Sequence, residues 1–293
     1  MKTVGPHRIQ EFYDELTSTL TYVVFHHESR DAVIIDSVLD YDAASGEYWL
    51  SSCKEVASFV AKYDLIVHYI LETHAHADHL SGSQYLKDLY PNALVGIGKG
   101  IVAVQQVFKE LLCLDVQEDG SQFDILFADE QSIKAGALNF TVRFTPGHTP
   151  ACTTLCFEGF AFTGDALFMP DYGTGRCDFP KGSASDLYDS IEKKIYTLAD
   201  ETLLFVGHDY CPGGRKLAFF TTVAESKRDN IRLNSQVSKE EFVGFRSARD
   251  AGLATPKLLI PSIQVNIDAG KLPRADSQGR AFLKVPLIKR DRK

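Results

Sequence analysis

The run His74-Ala75-His76-Ala77-Asp78-His79 puts three imidazoles and one carboxylate within six consecutive residues. Imidazole nitrogens combined with carboxylate oxygens suit zinc, iron, manganese or nickel better than magnesium or calcium, which take oxygen shells. Three more groups of the same kind follow. His148 closes the turn Thr145-Pro146-Gly147-His148, Asp165 follows Thr163-Gly164, and His208 follows Gly207. A chance cluster on a solvated loop is the competing reading. Against it, all four places lie just past an apolar run, so one architecture would bring them together. The chemistry expected of such a cluster is metal-dependent.

Strands with ligand-bearing ends must supply that architecture. Residues 23–25 and 32–35 are short apolar runs around a polar break and predict neighbouring strands, and 54–63 carries apolar residues at helical spacing. Residues 65–71 form a buried-strand run that ends at Glu72-Thr73. The histidine-rich loop thus leaves a strand's C-terminal end, where α/β sheets usually place ligand sites. A helix is predicted over 83–90, a strand over 93–97 and a helix over 101–114. The alternating run 138–144 stops at the Pro146-Gly147 turn. Residues 151–157 and 160–163 predict paired strands across Glu158-Gly159, and 203–206 a strand ending at Gly207-His208. From about Pro212 the pattern shifts to charged helices, predicted over 220–233 and 239–251, and then to a proline-punctuated tail over 256–287. These signals divide the chain into a catalytic domain, 1–215, and a helical and extended segment, 216–293, packed on the same domain.

At 293 residues, 44% hydrophobic and 24% charged, the sequence has an ordinary globular composition. A net charge of −8 gives no general pull toward nucleic acid or anionic lipid. Neither is expected as a partner, and an anionic small substrate would need a local cluster of cations. Met1–Leu16 interrupts its apolar residues with Glu11, Asp14 and Glu15, unlike an export signal, and no run approaches the roughly 20 apolar residues of a membrane span. The six cysteines show neither CxxC nor zinc-finger spacing. Reduced thiols and a cytoplasmic location are the expectation.

The motifs Thr73-His74-Ala75-His76-Ala77-Asp78-His79-Leu80-Ser81-Gly82, Thr145-Pro146-Gly147-His148-Thr149, Thr163-Gly164-Asp165 and Gly207-His208 resemble those of the metallo-β-lactamase superfamily over about residues 10–215. The resemblance implies an α/β fold, the αββα sandwich, with a metal site at one edge of the paired sheets and here a C-terminal extension. Within the superfamily the chain is similar to the persulfide dioxygenases in Ile35-Asp36-Ser37-Val38-Leu39-Asp40-Tyr41-Asp42, Gly173-Thr174-Gly175-Arg176-Cys177-Asp178-Phe179 and His208-Asp209-Tyr210. The tail Leu259-Ile260-Pro261-Ser262-Ile263-Gln264-Val265-Asn266 resembles that family's bacterial branch.

That family resemblance implies one Fe(II) per chain, held by His74, His148 and Asp165 in a facial triad with positions left for dioxygen and substrate. His76, Asp78, His79 and His208 would surround the triad or hold a second metal, a choice the spacing leaves open. The implied substrates are glutathione persulfide and O2, the products sulfite and glutathione, the role persulfide detoxification, and the assembly a homo-oligomer. Arg176 is the implied partner of a glutathione carboxylate, with Lys181 and Arg215 as further cations for which a solvated surface role competes. Tyr210 is implied to bring its hydroxyl near the metal; a buried tyrosine bonded to backbone is the alternative. Cys177 and Cys211 border the motifs, where either oxidation sensitivity or plain packing would place them. His7, His26, His27 and His68 read as structural or surface residues. The main rival is a dinuclear zinc thioester hydrolase of the glyoxalase II type, with His74, His76 and His148 on one zinc, Asp78, His79 and His208 on the other, and Asp165 bridging. A non-catalytic metal- or sulfide-responsive module would be expected to have lost a ligand, and every ligand position is present.

Overall fold

β-Branched and aromatic residues dominate Thr19–His26 and Asp31–Ile35, and both segments are strands in the computed structural model, which describes residues 1–287 and 289. They sit in a seven-stranded sheet ordered Lys2–Val4, His7–Asp14, Thr19–His26, Asp31–Ile35, Ile66–Glu72, Leu94–Gly98 and Ile125–Phe127. The first four pair antiparallel and the last four parallel. A second sheet runs Gln131–Ala135, Leu138–Phe144, Thr153–Phe157, Phe160–Phe162, Leu203–Phe205 and Phe220–Thr222. It is antiparallel except where Phe160–Phe162 meets Leu203–Phe205.

Period-two alternation sorts the side chains into layers. Tyr22 and Val24 face the second sheet, where they join Phe140, Phe157, Phe160 and Phe162 in the inter-sheet core. Val23 and Phe25 face outward, onto Val56 and Val60 of the helix Ser51–Lys62 in the core that also holds Val104 and Phe108 of Ile101–Leu112. On the far side, Ala161 and Leu204 pack with Leu187, Ile191, Ile195 and Phe242. The layers are helix, sheet, sheet, helix, the αββα sandwich.

The segment predicted as a helix over 220–233 divides instead into an edge strand, Phe220–Thr222, and a short helix, Val223–Asp229. Thr222 ends the strand and starts the helix, because its side chain accepts from Glu225 N while the Glu225 side chain returns to the Thr222 backbone. The tail folds back as the helix Leu259–Asn266, with Ser262 through Asn266 buried. Residues 288 and 290–293 of the predicted C-terminal segment lie outside the described residues. Among the described residues no helix is long and apolar enough to cross a membrane.

Phe160 is fully buried and stacks on Phe157 at 4.8 Å. Phe160→Ala is expected to lower unfolding free energy by about 3–5 kcal/mol, read by urea denaturation.

Candidate metal centre

The strand Ile66–Glu72 ends against Asp36, whose φ of 52° turns the chain sharply at the end of Asp31–Ile35. Asp36 N donates to Leu71 O, and the Asp36 carboxylate accepts from Thr73 N at 2.7 Å and Thr73 Oγ1 at 2.8 Å. His76 Nε2 lies 3.0 Å from Asp36 Oδ1 and 3.5 Å from Glu72 Oε2. Burial opposes charge on His76, but these two carboxylates outweigh it and hold the imidazole well above its usual value. Ligand atoms of His76, Asp78 and His79 also lie within 4.8 Å of one another.

Ligand atoms of His74, His148 and Asp165 all lie within 4.8 Å of one another. His74 Nε2 is 3.9 Å and His148 Nε2 3.6 Å from Asp165 Oδ2. The opposite ring nitrogens fix the tautomers. His148 Nδ1 donates to Arg176 O at 2.7 Å and His208 Nδ1 to Ser18 O at 3.2 Å. Thr73 Oγ1 spends its proton on Asp36, so it accepts from His74 Nδ1 at 3.1 Å. Each of these histidines therefore turns Nε2 inward, the arrangement by which an outer hydrogen bond orients a metal ligand. Burial and the neighbouring His76 and His148 hold His74 well below its usual value, hence neutral.

His74 Nε2, His76 Nε2, His79 Nε2, His208 Nε2 and Asp165 Oδ1 are buried without hydrogen-bond partners. Such groups are costly in an interior unless an ion or water meets them, and the donor set fits a divalent transition metal. Beside the triad, Asp78 Oδ2 is 3.3 Å from both His208 Nε2 and His79 Nδ1, and His208 Nε2 is 3.3 Å from Asp165 Oδ1. Burial opposes charge on both Asp78 and His208; their mutual attraction, with His79 acting on Asp78 and Asp165 on His208, drives Asp78 well down and His208 up. Glycine permits the closest approach: a Cβ at Gly164, where φ is 48°, would come within 2.6 Å of Thr73 Oγ1.

A cavity of about 230 Å³ opens onto His148, Asp165 and Asp78, walled by Phe168, Tyr172, Tyr210, Leu253 and Pro256. Tyr210 is 42% exposed and stacks on Tyr172 at 4.6 Å and on His208 at 5.6 Å, so it is a cavity wall rather than a buried tyrosine. Arg176 also lines the cavity, with much of its fork already engaged: Nε donates to Asp178 Oδ1 at 2.6 Å, Nη2 to Asp178 Oδ2 at 2.5 Å, and Nη1 to Ala254 O at 3.0 Å. Arg215 is bound to Asp171 and Asp209, and Lys181 is exposed. Burial pushes the Cys177 thiol up, and burial with the Asp209 carboxylate does the same at Cys211, so neither favours the reactive thiolate. His68 pairs with Asp31 at 2.6 Å, and His7 is buried edge-on to Phe160, both structural placements.

Several residues here were not singled out as site residues by the sequence. Asp36 anchors the motif loop, and Arg249 enters the cavity with no ion pair or side-chain hydrogen bond among the described residues. Arg246, 1% exposed, binds Asp250 and Thr174 O, and Asp250 Oδ2 accepts from Cys177 N at 2.7 Å. This pair ties the helix Lys239–Asp250 to the loop whose Arg176 carbonyl holds His148. The i,i+4 spacing of Arg246 and Asp250 on a charged helix is visible in the sequence, but the burial of the pair is not.

Among known families, the metallo-beta-lactamase superfamily matches residues 15–208. A Dictyostelium discoideum protein named glyoxylase B2 is 43% identical over 96% of this chain and 97% of its own length. The human mitochondrial persulfide dioxygenase ETHE1 is 32% identical over 91% of this chain and 90% of its own. The crystal structure of ETHE1 from Myxococcus xanthus superposes with a TM-score of 0.73 at 31% identity, covering 90% of this chain and all of that one.

Arg246→Ala would strand the Asp250 carboxylate and is expected to cost about 3–5 kcal/mol of stability, read by denaturant titration. Asp209 gives a pH signature: burial opposes its charge, but Arg215 and the amides of Ala218 and Cys211 hold it below the usual carboxylate range. Its stabilising contribution is therefore complete above the unfolded value of about 3.9 and lost as pH falls through the lower folded value. In Asp209→Asn the melting temperature should fall less steeply than in the wild type below about pH 4.

Proposed function

The chain belongs to the metallo-beta-lactamase superfamily, and from that premise we propose that it is a persulfide dioxygenase acting on glutathione persulfide at a single non-haem Fe(II), in persulfide detoxification. The proposed reaction takes glutathione persulfide, dioxygen and water to glutathione, sulfite and two protons: the S–S bond breaks, the outer sulfur is oxidised and dioxygen is reduced. The observation that carries this reading is the convergence of His74, His148 and Asp165, whose ligand atoms lie within 4.8 Å of one another. They form a two-histidine, one-carboxylate set, beside which His76 Nε2 lies 3.0 Å from Asp36. The similarity to a human protein named persulfide dioxygenase, across nine-tenths of both chains, supports it.

Bound by these three residues, Fe(II) would supply open coordination positions for the persulfide sulfur and dioxygen, and the redox capacity to couple them. The chain's own part is position and charge. The Arg176 carbonyl and Thr73 hydroxyl hold the imidazoles of His148 and His74 in the ligating tautomer. Phe168, Leu253 and Pro256 line the cavity and limit water. Glutathione carries two carboxylates; Arg249 offers an uncommitted guanidinium and Arg176 the donors left over by Asp178 and Ala254.

A second reading, a dinuclear zinc thioester hydrolase, is favoured by one feature: Asp165 turns Oδ1 toward His208, which with Asp78 and His79 outlines an adjoining cation position. Metal-free protein loaded anaerobically with Fe(II) or Zn(II) separates the two. The dioxygenase reading expects oxygen uptake and sulfite release from glutathione persulfide with iron and none with zinc; thioester hydrolysis by the zinc form without oxygen uptake would replace it. With iron loaded, Arg249→Ala should raise KM for glutathione persulfide about tenfold or more with a smaller effect on kcat, the loss expected for a charge-assisted hydrogen bond to bound substrate. Arg176→Ala should also weaken saturation, and an unchanged KM would remove Arg176 from the substrate site.

A further inference from the structure

The loop from His74 to Ser81 carries the motif side chains, and part of its backbone is satisfied from the other end of the chain. Asn266, 4% exposed at the end of the helix Leu259–Asn266, uses its amide completely: Nδ2 donates to His76 O and to His79 O, each at 2.8 Å, and Oδ1 accepts from Ser81 N at 2.8 Å. Both N–H groups and the carbonyl of one side chain thus close on the same loop. The turn after the helix is fastened separately: Ala269 O accepts from Ser83 Oγ at 3.0 Å and Gln84 Nε2 at 2.6 Å, and Ile267 O from Gln105 Nε2 at 2.9 Å. Gly270 packs so tightly there that a Cβ would fall 2.5 Å from Ser83 Oγ. The helix is therefore docked by bonds that do not involve the motif loop, and the three bonds of Asn266 are free to serve the loop's shape.

That shape matters to the site. The carbonyls that Asn266 holds belong to His76 and His79, the residues that bracket Ala77-Asp78 on the loop. A loop of this kind has no strand ladder of its own between Thr73 and His79. Without an outside donor, the two inward carbonyls would be buried and unpaired, and the loop would rotate to meet water.

We propose that Asn266 is a positioning residue of the metal centre: it fixes the backbone between His76 and Ser81 so that the motif side chains hold their aim, although it touches no ligand atom. The segment that carries it lies beyond residues 15–208, the part matched by the superfamily. The inference rests on the reading of His74, His148 and Asp165 as metal ligands, which the same experiment checks independently.

Metal affinity of the purified full-length chain is measured by chelator competition with Zn(II) and Fe(II), together with the visible spectrum of the Co(II) form and the melting temperature of the metal-free form. Asn266→Ala should bind metal at least about threefold more weakly and shift the Co(II) bands, a smaller loss than the roughly 10–100-fold expected when a direct partner of a ligand is removed. Gln84→Ala, which removes only a bond to the turn at Ala269, should lower the melting temperature while leaving affinity and spectrum at their wild-type values. Asn266→Asp keeps an acceptor for Ser81 N and loses both donors; it should behave as Asn266→Ala does, and it serves as the test should the alanine variant not fold. A folded Asn266 variant with wild-type affinity and spectrum overturns the proposal, as does a Gln84→Ala variant that loses affinity in step with its stability. Wild-type protein that binds no metal, or His148→Ala that binds it unchanged, would overturn the ligand reading instead.

Discussion

The buried Asp36 carboxylate is where the sheet and the site meet. Its backbone amide donates to Leu71 and its carbonyl accepts from Thr21 Oγ1, so it pins the ends of three adjacent strands. Its side chain then meets Thr73 N, Thr73 Oγ1 and His76 Nε2. A carboxylate 2% exposed is tolerable only with such a complete set of partners. The partners are in turn fixed by it: Thr73 becomes an acceptor for His74, and His76 Nε2 is held 3.0 Å from the carboxylate. Removing Asp36 would leave the buried His76 facing Glu72 alone and free the hydroxyl that sets the His74 tautomer.

The rest of the site follows the same logic of outer bonds choosing inner geometry. Carbonyls of Arg176 and Ser18 do for His148 and His208 what Thr73 does for His74. The Arg176 loop is itself held by Asp250 on the helix Lys239–Asp250, and the motif loop by Asn266 on the next helix. Segments beyond residue 215 therefore contribute to the walls and supports of the centre, and Phe220–Thr222 completes the second sheet.

How much of this could be read from sequence depended on range. Strand ends carrying His74, His148, Asp165 and His208 were legible, because an apolar run followed by a glycine, proline or polar turn is a local signal. The strands Lys2–Val4 and His7–Asp14 were not, since their mixed exposure hides the alternation. The helix expected from Phe220 begins three residues later; the pair Thr222 and Glu225 announced its true start, while the preceding Phe-Thr-Thr favours a strand. The commitment of Arg176 to Asp178 was two residues away and in principle visible. Asp36, Arg249 and Asn266 were invisible as site residues: their significance comes from partners or a cavity assembled by distant parts of the chain, and a lone Asp, Arg or Asn has no signature of its own.

The central claim is that one metal sits among His74, His148 and Asp165 while His76 stays on Asp36. Anomalous diffraction at the iron edge from crystals of the Fe(II)-loaded protein tests it most directly. The account predicts a single peak bounded by His74 Nε2, His148 Nε2 and the Asp165 carboxylate, with His76 still paired to Asp36. Two peaks about 3.5–4 Å apart, or His76 bound to the metal, would contradict it.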